Sequence, residues 1–344
     1  MRKALVPALC SALLLVAVVT ASASAAPTAA GSAACTPKTN VEAIVDDSGS
    51  MAVTDPNRLR VQAMDLLIET LPSSTTLGAV EFGSGIEGIP GVFEGTPAAY
   101  TIFPPEPIKP NSAAMQSALK STINADDGAT DYNGAFAKAD ADDPSAQARI
   151  FLTDGGHDEG TYNEAHLAHN VPTYVIGFGT GVTSSEDKAR LKKIAADTGG
   201  KVYDLEDASE LQAVVNDIGA ALTCKTPPRK FTDELSQGES KTHTITIGPK
   251  THVLRVTITW AQPGDNFRLT GLRIKSHGRI VAAARPQKVT KPKKLKVTVA
   301  AKSSTFTVLK IGHLRPGTLQ FAVKGAKVSG GPVKVTTQVG GETG

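Results

Sequence analysis

Residues 41–222 alternate between two hydrophobic patterns. Short apolar runs are typical of buried parallel strands, and longer stretches with apolar positions three and four apart are typical of helices. The runs predict strands at residues 41–45, 77–82, 150–152, 172–178 and 202–203. The longer stretches predict helices at residues 57–71, 115–123, 132–139, 186–196 and 208–222, with a proline-rich loop at 104–110. This alternation predicts a doubly wound α/β fold, with a mostly parallel sheet covered by helices on both faces.

The rest of the chain has a hydrophobic period of two. Leu254, Val256 and Ile258 alternate with polar residues, and the same pattern recurs at 295–299, 319–323 and 333–339. Gly-Pro turn signals separate these segments. About eight strands in roughly 115 residues predict an all-β sandwich or jelly roll. Trp260 ends one of the alternating segments, and we expect it in the core.

Residues 1–26 have the pattern of a cleaved secretory signal. Arg2 and Lys3 precede a short apolar run at 13–19, and small residues fill positions 20–26. The run is shorter than the roughly 20 apolar residues that span a membrane, so we expect no transmembrane anchor. The mature protein is therefore expected to be secreted, in the extracellular space or at the cell surface.

Cysteine positions suggest where the first domain begins and ends. Cys10 lies in the predicted signal, which leaves Cys35 and Cys224. We expect these two to form a disulfide in an oxidising compartment, the alternative being two free buried thiols. A loop of this length would stabilise the fold by on the order of 5 kcal/mol in the chain-entropy model. The predicted organisation is a first domain at 35–224, a linker at 225–230 and a second domain at 231–344.

Charge divides the chain at the same place. The first 224 residues hold 14 basic and 28 acidic residues, whereas residues 225–344 hold 22 basic and 5 acidic ones. The basic part includes a run of lysines at Lys288, Lys291, Lys293, Lys294 and Lys296. This run predicts either a site for an anionic cell-envelope polymer or a solvated loop. Nucleic acid is not favoured as a ligand, because no aromatic platform for stacking bases is evident.

Oxygen-bearing side chains follow the predicted strands of the first domain. Asp46, Ser48 and Ser50 come directly after the first strand in the spacing D-x-S-x-S, and Asp154 follows a later strand. Thr130 precedes a predicted helix. Five oxygen donors with few charges suit a small hard cation, Mg²⁺ first and Mn²⁺ or Ca²⁺ as alternatives. The alternative interpretation is that these residues only cap helices and form turns.

These motifs resemble, in order and spacing, the metal-ion-dependent adhesion site (MIDAS) of von Willebrand factor type A (VWA) domains. The resemblance covers about 180 residues and includes the stretches at 45–51, 152–155, 176–179 and 198–200. It implies that Ser48, Ser50 and Thr130 bind the metal through hydroxyls. Asp46 and Asp154 would act directly or through water. A Glu or Asp carboxylate of a protein partner would complete the metal shell.

Catalytic motifs are poorly matched. Ser48 does not lie in a G-x-S-x-G turn, and no P-loop is present, so we expect no enzyme activity. The acidic stretch at 156–159 is expected to be a solvated loop rather than a contributor to the metal site. The leading hypothesis is metal-dependent adhesion or protein–protein interaction. The alternatives are binding of an anionic envelope polymer through the basic domain and a role as an accessory subunit of an extracellular complex.

Overall fold

A computed structural model describes most of the chain beyond residue 34. The described residues are 35–83, 99–124, 128–158, 161–164, 166–167, 170–178, 184–205, 208–284 and 293–343. The first sheet contains β1 (Asn40–Asp46), β2 (Thr76–Phe82), β3 (Ala99–Pro107), β4 (Ala148–Thr153), β5 (Thr173–Phe178) and β6 (Lys201–Leu205). The helices are α1 (Met51–Thr54), α2 (Leu59–Thr70), α3 (Ile108–Thr122), α4 (Tyr132–Asp142), α5 (Ser185–Thr198) and α6 (Leu211–Leu222), the last preceded by a 3₁₀ turn (Ala208–Glu210).

The first sheet has the strand order β3-β2-β1-β4-β5-β6. Every neighbouring pair is parallel except β2 and β3. After β1 the chain adds β2 and β3 on one side of that strand. It then returns and adds β4, β5 and β6 on the other side. The order therefore reverses between β1 and β4, and in sheets of this kind ligands bind beyond the carboxyl ends of the strands at that point. The predicted α/β fold is confirmed.

The prediction of a loop at residues 104–110 was wrong. Most of this segment belongs to β3, which pairs antiparallel with β2 at the edge of the sheet. Proline lacks the N–H that a strand donates to its neighbour, so within sheets it is confined to edge strands and to irregularities in the pairing. Pro104 and Pro105 lie where the pairing of β3 with β2 shifts register, and Pro107 ends this edge strand. The hydrophobic pattern alone did not distinguish a proline-rich edge strand from a loop.

Side chains of β1 pack on both faces of the sheet because successive residues point in opposite directions. Val41, Ala43 and Val45 share a buried cluster with residues of α2, α3 and α6. Ile44 packs in a second cluster with residues of α4 and α5. The central strand is thus buried on both faces, which explains its nearly continuous apolar sequence.

The remainder of the chain forms a β-sandwich. Its strands are β7 (Arg229–Leu235), β8 (Ser240–Ile247), β9 (Thr251–Trp260), β10 (Asn266–Ser276), β11 (Arg279–Ala283), β12 (Lys293–Lys294), β13 (Lys296–Lys302), β14 (Phe306–Gly312), β15 (Gly317–Lys327) and β16 (Val333–Thr343). One sheet has the order β12-β11-β10-β15-β8 and the other β13-β14-β9-β16-β7. Trp260, Phe267 and Phe321 are buried in the core between them. The described sandwich has ten strands, more than the roughly eight that the turn signals predict.

Helices α2 and α6 pack against the sheet that contains β9 and β14. Leu66 of α2 forms a small buried cluster with Phe306 and Val308 of β14. The side-chain amide of Gln338 donates hydrogen bonds to Asp217 Oδ1, at 2.8 Å, and to the carbonyl oxygen of Ala213, at 3.0 Å. The α/β part and the sandwich therefore share a packed interface with buried polar contacts.

The two ends of the α/β part lie side by side. The backbone N–H of Lys38 donates to the carbonyl oxygen of Leu222 at 2.8 Å. Cys35 and Cys224 are both disulfide-bonded. The predicted signal at 1–26, with Cys10, lies outside the described residues. Within the described ranges, no helix has the length and apolar content needed to cross a membrane.

Candidate metal centre

The loop after β1 is held by the carboxylate of Asp46. Oδ1 of Asp46 accepts a hydrogen bond from the backbone N–H of Ser48 at 2.9 Å. Oδ2 accepts one from the hydroxyl of Thr153, the last residue of β4, at 2.6 Å. Asp46 and Thr153 are both fully buried. This carboxylate therefore ties together the carboxyl ends of the two strands between which the strand order reverses.

Hydroxyls connect this loop to Asp154. The Oγ atoms of Ser48 and Ser50 are 3.2 Å apart, and the Ser50 hydroxyl donates to Asp154 Oδ1 at 2.7 Å. The Thr54 hydroxyl, at the end of α1, donates to Asp154 Oδ2. Four of the five predicted ligand residues, Asp46, Ser48, Ser50 and Asp154, are thus joined in one chain of hydrogen bonds.

Thr130 enters the same cluster from a third loop. The N–H of Gly49 donates to the carbonyl oxygen of Gly128 at 3.2 Å, which joins this loop to the one after β1. A Cβ atom placed on Gly155 would lie 3.2 Å from the Thr130 hydroxyl oxygen and 3.7 Å from that of Ser50. Both hydroxyls therefore border the same small space, which is open only because residue 155 is glycine.

Gly83 is required for the loop after β1 to approach β2. Its φ is +99°, a conformation that side chains other than glycine rarely adopt. A Cβ atom there would lie 2.5 Å from the backbone nitrogen of Ser48. The carboxyl end of β2 thus packs directly under the D-x-S-x-S loop, and any larger residue would displace it.

Ionisation of the Asp46 and Asp154 carboxylates is unfavourable in the folded chain. Burial and the nearby Asp154 carboxylate raise the pKa of Asp46, and burial raises the pKa of Asp154. The charge of each buried carboxylate opposes ionisation of the other, and a bound cation would relieve that repulsion. The donor set consists of carboxylate and hydroxyl oxygens, which are the ligands of hard cations such as Mg²⁺. The residues present therefore fit a divalent metal.

No three His, Cys, Asp or Glu side chains within the described residues are grouped so that they could hold a metal by themselves. This finding does not bear on the present cluster, because three of its five oxygen donors are hydroxyls. Hydroxyl-rich sites of this kind carry few negative charges and leave part of the metal's charge for an anionic ligand.

A buried ion-pair network holds the loop that follows β1. The guanidinium of Arg60 lies 2.7 Å from Asp47 Oδ1 and 3.2 Å from Asp55 Oδ2, and all three side chains are fully buried. Asp55 also accepts hydrogen bonds from the backbone N–H groups of Leu59 and Arg60, at the start of α2. The network anchors the site loop to α2. The sequence pattern did not predict the pairing of Arg60 with Asp47 and Asp55.

The expectation that residues 156–159 form only a solvated loop, with no contact to the site, was wrong for His157 and Asp158. The imidazole of His157 is buried, and its Nδ1 accepts from the N–H of Tyr132 at 3.1 Å. Burial lowers the pKa of His157, which favours the neutral ring. Asp158 Oδ1 accepts from the N–H of Thr130 at 2.6 Å. Asp158 therefore positions the Thr130 loop, although its side chain is exposed.

Two contributors to the cluster were thus missed from the sequence. Thr54 lies one helical turn after Ser50, and Asp158 lies four residues after Asp154. In the sequence, the one feature that could have pointed to these two residues was their spacing from the predicted ligands. It is a weak one, because Thr and Asp are common in loops and caps for reasons unrelated to metals.

The lysine run is described only in part. Lys293 and Lys294 form β12, Lys296 begins β13, and all three side chains are exposed. Lys288 and Lys291 lie outside the described residues. The exposed lysines belong to the sandwich and not to the oxygen cluster.

Comparison with known proteins gives structural neighbours only. No protein-family model matches the chain, and no curated protein matches it. A von Willebrand factor type A protein from Catenulispora acidiphila is 17% identical, with a TM-score of 0.42, over 90% of this chain and 63% of that one. Proximal thread matrix protein 1 from the mussel byssus, solved with a zinc-occupied MIDAS motif, is 17% identical, with a TM-score of 0.40, over 59% of this chain and 51% of that one.

A third neighbour is the pilus adhesin SpaC from Lactobacillus rhamnosus GG in its open conformation. It is 12% identical, with a TM-score of 0.42, over 90% of this chain and 44% of that one. The chain spans between 44% and 63% of the length of these three proteins. These three structural neighbours are VWA-domain proteins.

Proposed function

We propose that the oxygen cluster of Asp46, Ser48, Ser50, Thr130 and Asp154 binds Mg²⁺, or Mn²⁺ or Ca²⁺ in its place. The metal would hold a Glu or Asp carboxylate of a protein partner. The observation that carries this proposal is the convergence of three separate loops on one point beyond β1 and β4. Helix caps and turns explain each loop alone, but they do not explain why all five side chains meet.

The exposure of the cluster gives the direction from which a ligand would arrive. Asp46, Ser48, Thr130 and Asp154 are buried, whereas Ser50 is exposed. The cluster is therefore closed on the protein side and reaches solvent at Ser50. A cation held there by only two carboxylates would attract an anionic oxygen donor from outside.

The role we propose is binding rather than catalysis, in the extracellular space or at the cell surface. The side chains on the cluster are carboxylates and hydroxyls, and among the described contacts no histidine or lysine reaches the Ser48 or Ser50 hydroxyl to activate it as a nucleophile. The secreted location rests on the signal-like pattern at 1–26 and on the disulfide-bonded cysteines.

Metal binding is tested with Mn²⁺ alone, followed by calorimetry and by electron paramagnetic resonance. We expect one Mn²⁺ per chain, displaced by Mg²⁺, with affinity reduced about 10-fold or more by Asp154→Ala. Asp204→Ala is the matched control, because Asp204 is an exposed residue near the carboxyl end of β6, outside the cluster. Equal Mn²⁺ affinity in the wild type and Asp154→Ala would contradict the site.

The partner is tested by capture from the secreted and envelope fractions of the producing organism. Capture that is lost both in EDTA and with Asp154→Ala supports a metal-held carboxylate. Capture that persists in EDTA and with the variant, yet is lost at high salt, contradicts the proposal. That second outcome would assign binding to an anionic envelope polymer and to the exposed lysines of β12 and β13.

A further inference from the structure

The β-sandwich is open along one edge. A cleft of about 370 Å³ lies between β10 of one sheet and β13 and β14 of the other. Val297 and Val299 of β13, Phe267 of β10 and Leu309 of β14 line it. Its volume falls within the roughly 300–1,000 Å³ typical of small-molecule sites, and its lining is mainly apolar, as in such sites.

Exposed apolar side chains are concentrated at this cleft. Val297 is 38% exposed and Val299 is 62% exposed, and in the described part of the sandwich these are the large hydrophobic residues that face solvent. Both lie on β13, which is the edge strand of its sheet. Exposed apolar residues scattered singly need no explanation, but a pair that lines a cleft marks a surface that another apolar group covers.

The rim of the cleft is positively charged. Arg268 of β10 and Lys302 of β13 line it, and no Asp or Glu is among its described lining residues. Both cations are exposed, and neither pairs with a carboxylate in the part of the chain that the structure describes. A guanidinium and an ammonium without acidic partners suit an anionic headgroup such as a carboxylate.

We propose that this cleft binds a single-chain anionic lipid. The acyl chain would lie against Val297, Val299 and Phe267, and the carboxylate would lie at Arg268 and Lys302. The two cations favour this occupant over a cationic or uncharged amphiphile. No residue of the cleft belongs to the oxygen cluster, so lipid binding is independent of the proposed metal and is unaffected by EDTA.

The test uses dodecanoate below its critical micelle concentration. Trp260 is the single tryptophan of the chain, and its ring centroid is 5.4 Å from that of Phe267, so its fluorescence reports on the cleft. We expect saturable binding of one dodecanoate per chain, with the stoichiometry measured by calorimetry. Val299→Asp places a carboxylate in the cleft and is expected to weaken binding at least 10-fold.

Thr298→Asp is the matched control. Thr298 is exposed, adjoins Val299 on the same strand and is absent from the lining of the cleft. Because successive strand residues point to opposite faces, its substitution introduces the same charge without entering the cleft. We expect dodecanoate to bind this variant with the affinity of the wild type. Equal weakening by Thr298→Asp and Val299→Asp would overturn the proposal.

Headgroup recognition is tested with the double variant Arg268→Glu, Lys302→Glu. It is expected to bind dodecanoate at least 10-fold more weakly while binding dodecanol as the wild type does. Binding of dodecyltrimethylammonium as tightly as dodecanoate would overturn the assignment. Preferential binding of an extended apolar peptide would also overturn it, and would assign the edge of β13 to strand addition.

Discussion

The hydroxyl of Ser50 donates a 2.7 Å hydrogen bond to Oδ1 of Asp154, across 104 residues of sequence. Ser50 follows β1 and Asp154 follows β4, and these strands are parallel neighbours in the sheet. The hydrogen bond is therefore a direct consequence of the strand order. It places a hydroxyl and a carboxylate from distant parts of the chain at one point on the sheet edge.

Asp158 is predicted to support metal binding without touching the metal. Its Oδ1 accepts from the N–H of Thr130 at 2.6 Å, so Asp158→Ala would release the Thr130 loop. Groups that orient metal ligands typically contribute about 10- to 100-fold to affinity, and we expect a loss of at least about 10-fold. Mn²⁺ calorimetry measures the effect. Asp158→Asn keeps an oxygen acceptor and is expected to retain most of the affinity, and equal losses in both variants would argue against this role.

Gly83→Ala is predicted to disrupt the metal site from the neighbouring strand. The added Cβ would meet the backbone of Ser48 at 2.5 Å, and alanine is strained at a φ of +99°. We expect lower thermal stability together with weakened Mn²⁺ binding. Gly264→Ala is the control, because its added Cβ meets no atom within 4 Å. Unchanged Mn²⁺ binding in a folded Gly83→Ala variant would show that this close approach does not shape the site.

Arg60→Met is predicted to lower the free energy of unfolding by about 3–5 kcal/mol, because it leaves two buried carboxylates without their cation. Those carboxylates belong to Asp47 and Asp55, which are fully buried beside the guanidinium. Denaturant unfolding measures the loss. Lys188→Ala removes an ion pair with Asp204 in which the side chains are 40% and 51% exposed, and its cost is expected to stay below about 1 kcal/mol. A similarly small loss for Arg60→Met would contradict the prediction.

Glu42 is predicted to make stability depend on pH. Its side chain is fully buried in β1, and neither carboxyl oxygen has a hydrogen-bond partner among the described residues. Burial, with a smaller contribution from Asp143, raises the pKa of Glu42 from 4.5 to about 9. The folded chain therefore retains a proton that the unfolded chain loses, and stability falls as pH rises from about 4.5 to about 9.

Glu42→Gln removes this titration. The variant is expected to be more stable than the wild type at neutral pH, by a margin that grows as pH rises toward 9 and disappears below 4.5. Thermal unfolding across this range measures the difference. Glu106→Gln, at an exposed position of β3, is expected to leave the pH profile unchanged. A margin for Glu42→Gln that does not vary with pH would contradict the assignment of a protonated buried acid.

The hydrophobic pattern was sufficient to predict the α/β fold and the β-sandwich. Period-two and helical spacing are local properties, because they depend on which face of an element is buried. The prediction failed at β3, where prolines at a sheet edge resemble a loop, and it undercounted the strands of the sandwich. The hydrophobic period of a single segment does not show whether that segment pairs with a neighbour at the edge of a sheet.

The candidate site also has a part that the sequence predicted and a part that it did not. The sequence by itself determined which oxygen donors follow which strands, and their spacing was enough to predict Asp46, Ser48, Ser50, Thr130 and Asp154 as one set. Only the tertiary structure decided what supports them, namely Arg60 between two buried carboxylates and Asp158 bonded to the Thr130 amide. The separate cleft beside β13 was likewise visible only in the tertiary structure. The physical reason is that ligand spacing follows from local chain geometry, whereas supporting contacts and clefts arise when segments far apart in sequence pack together.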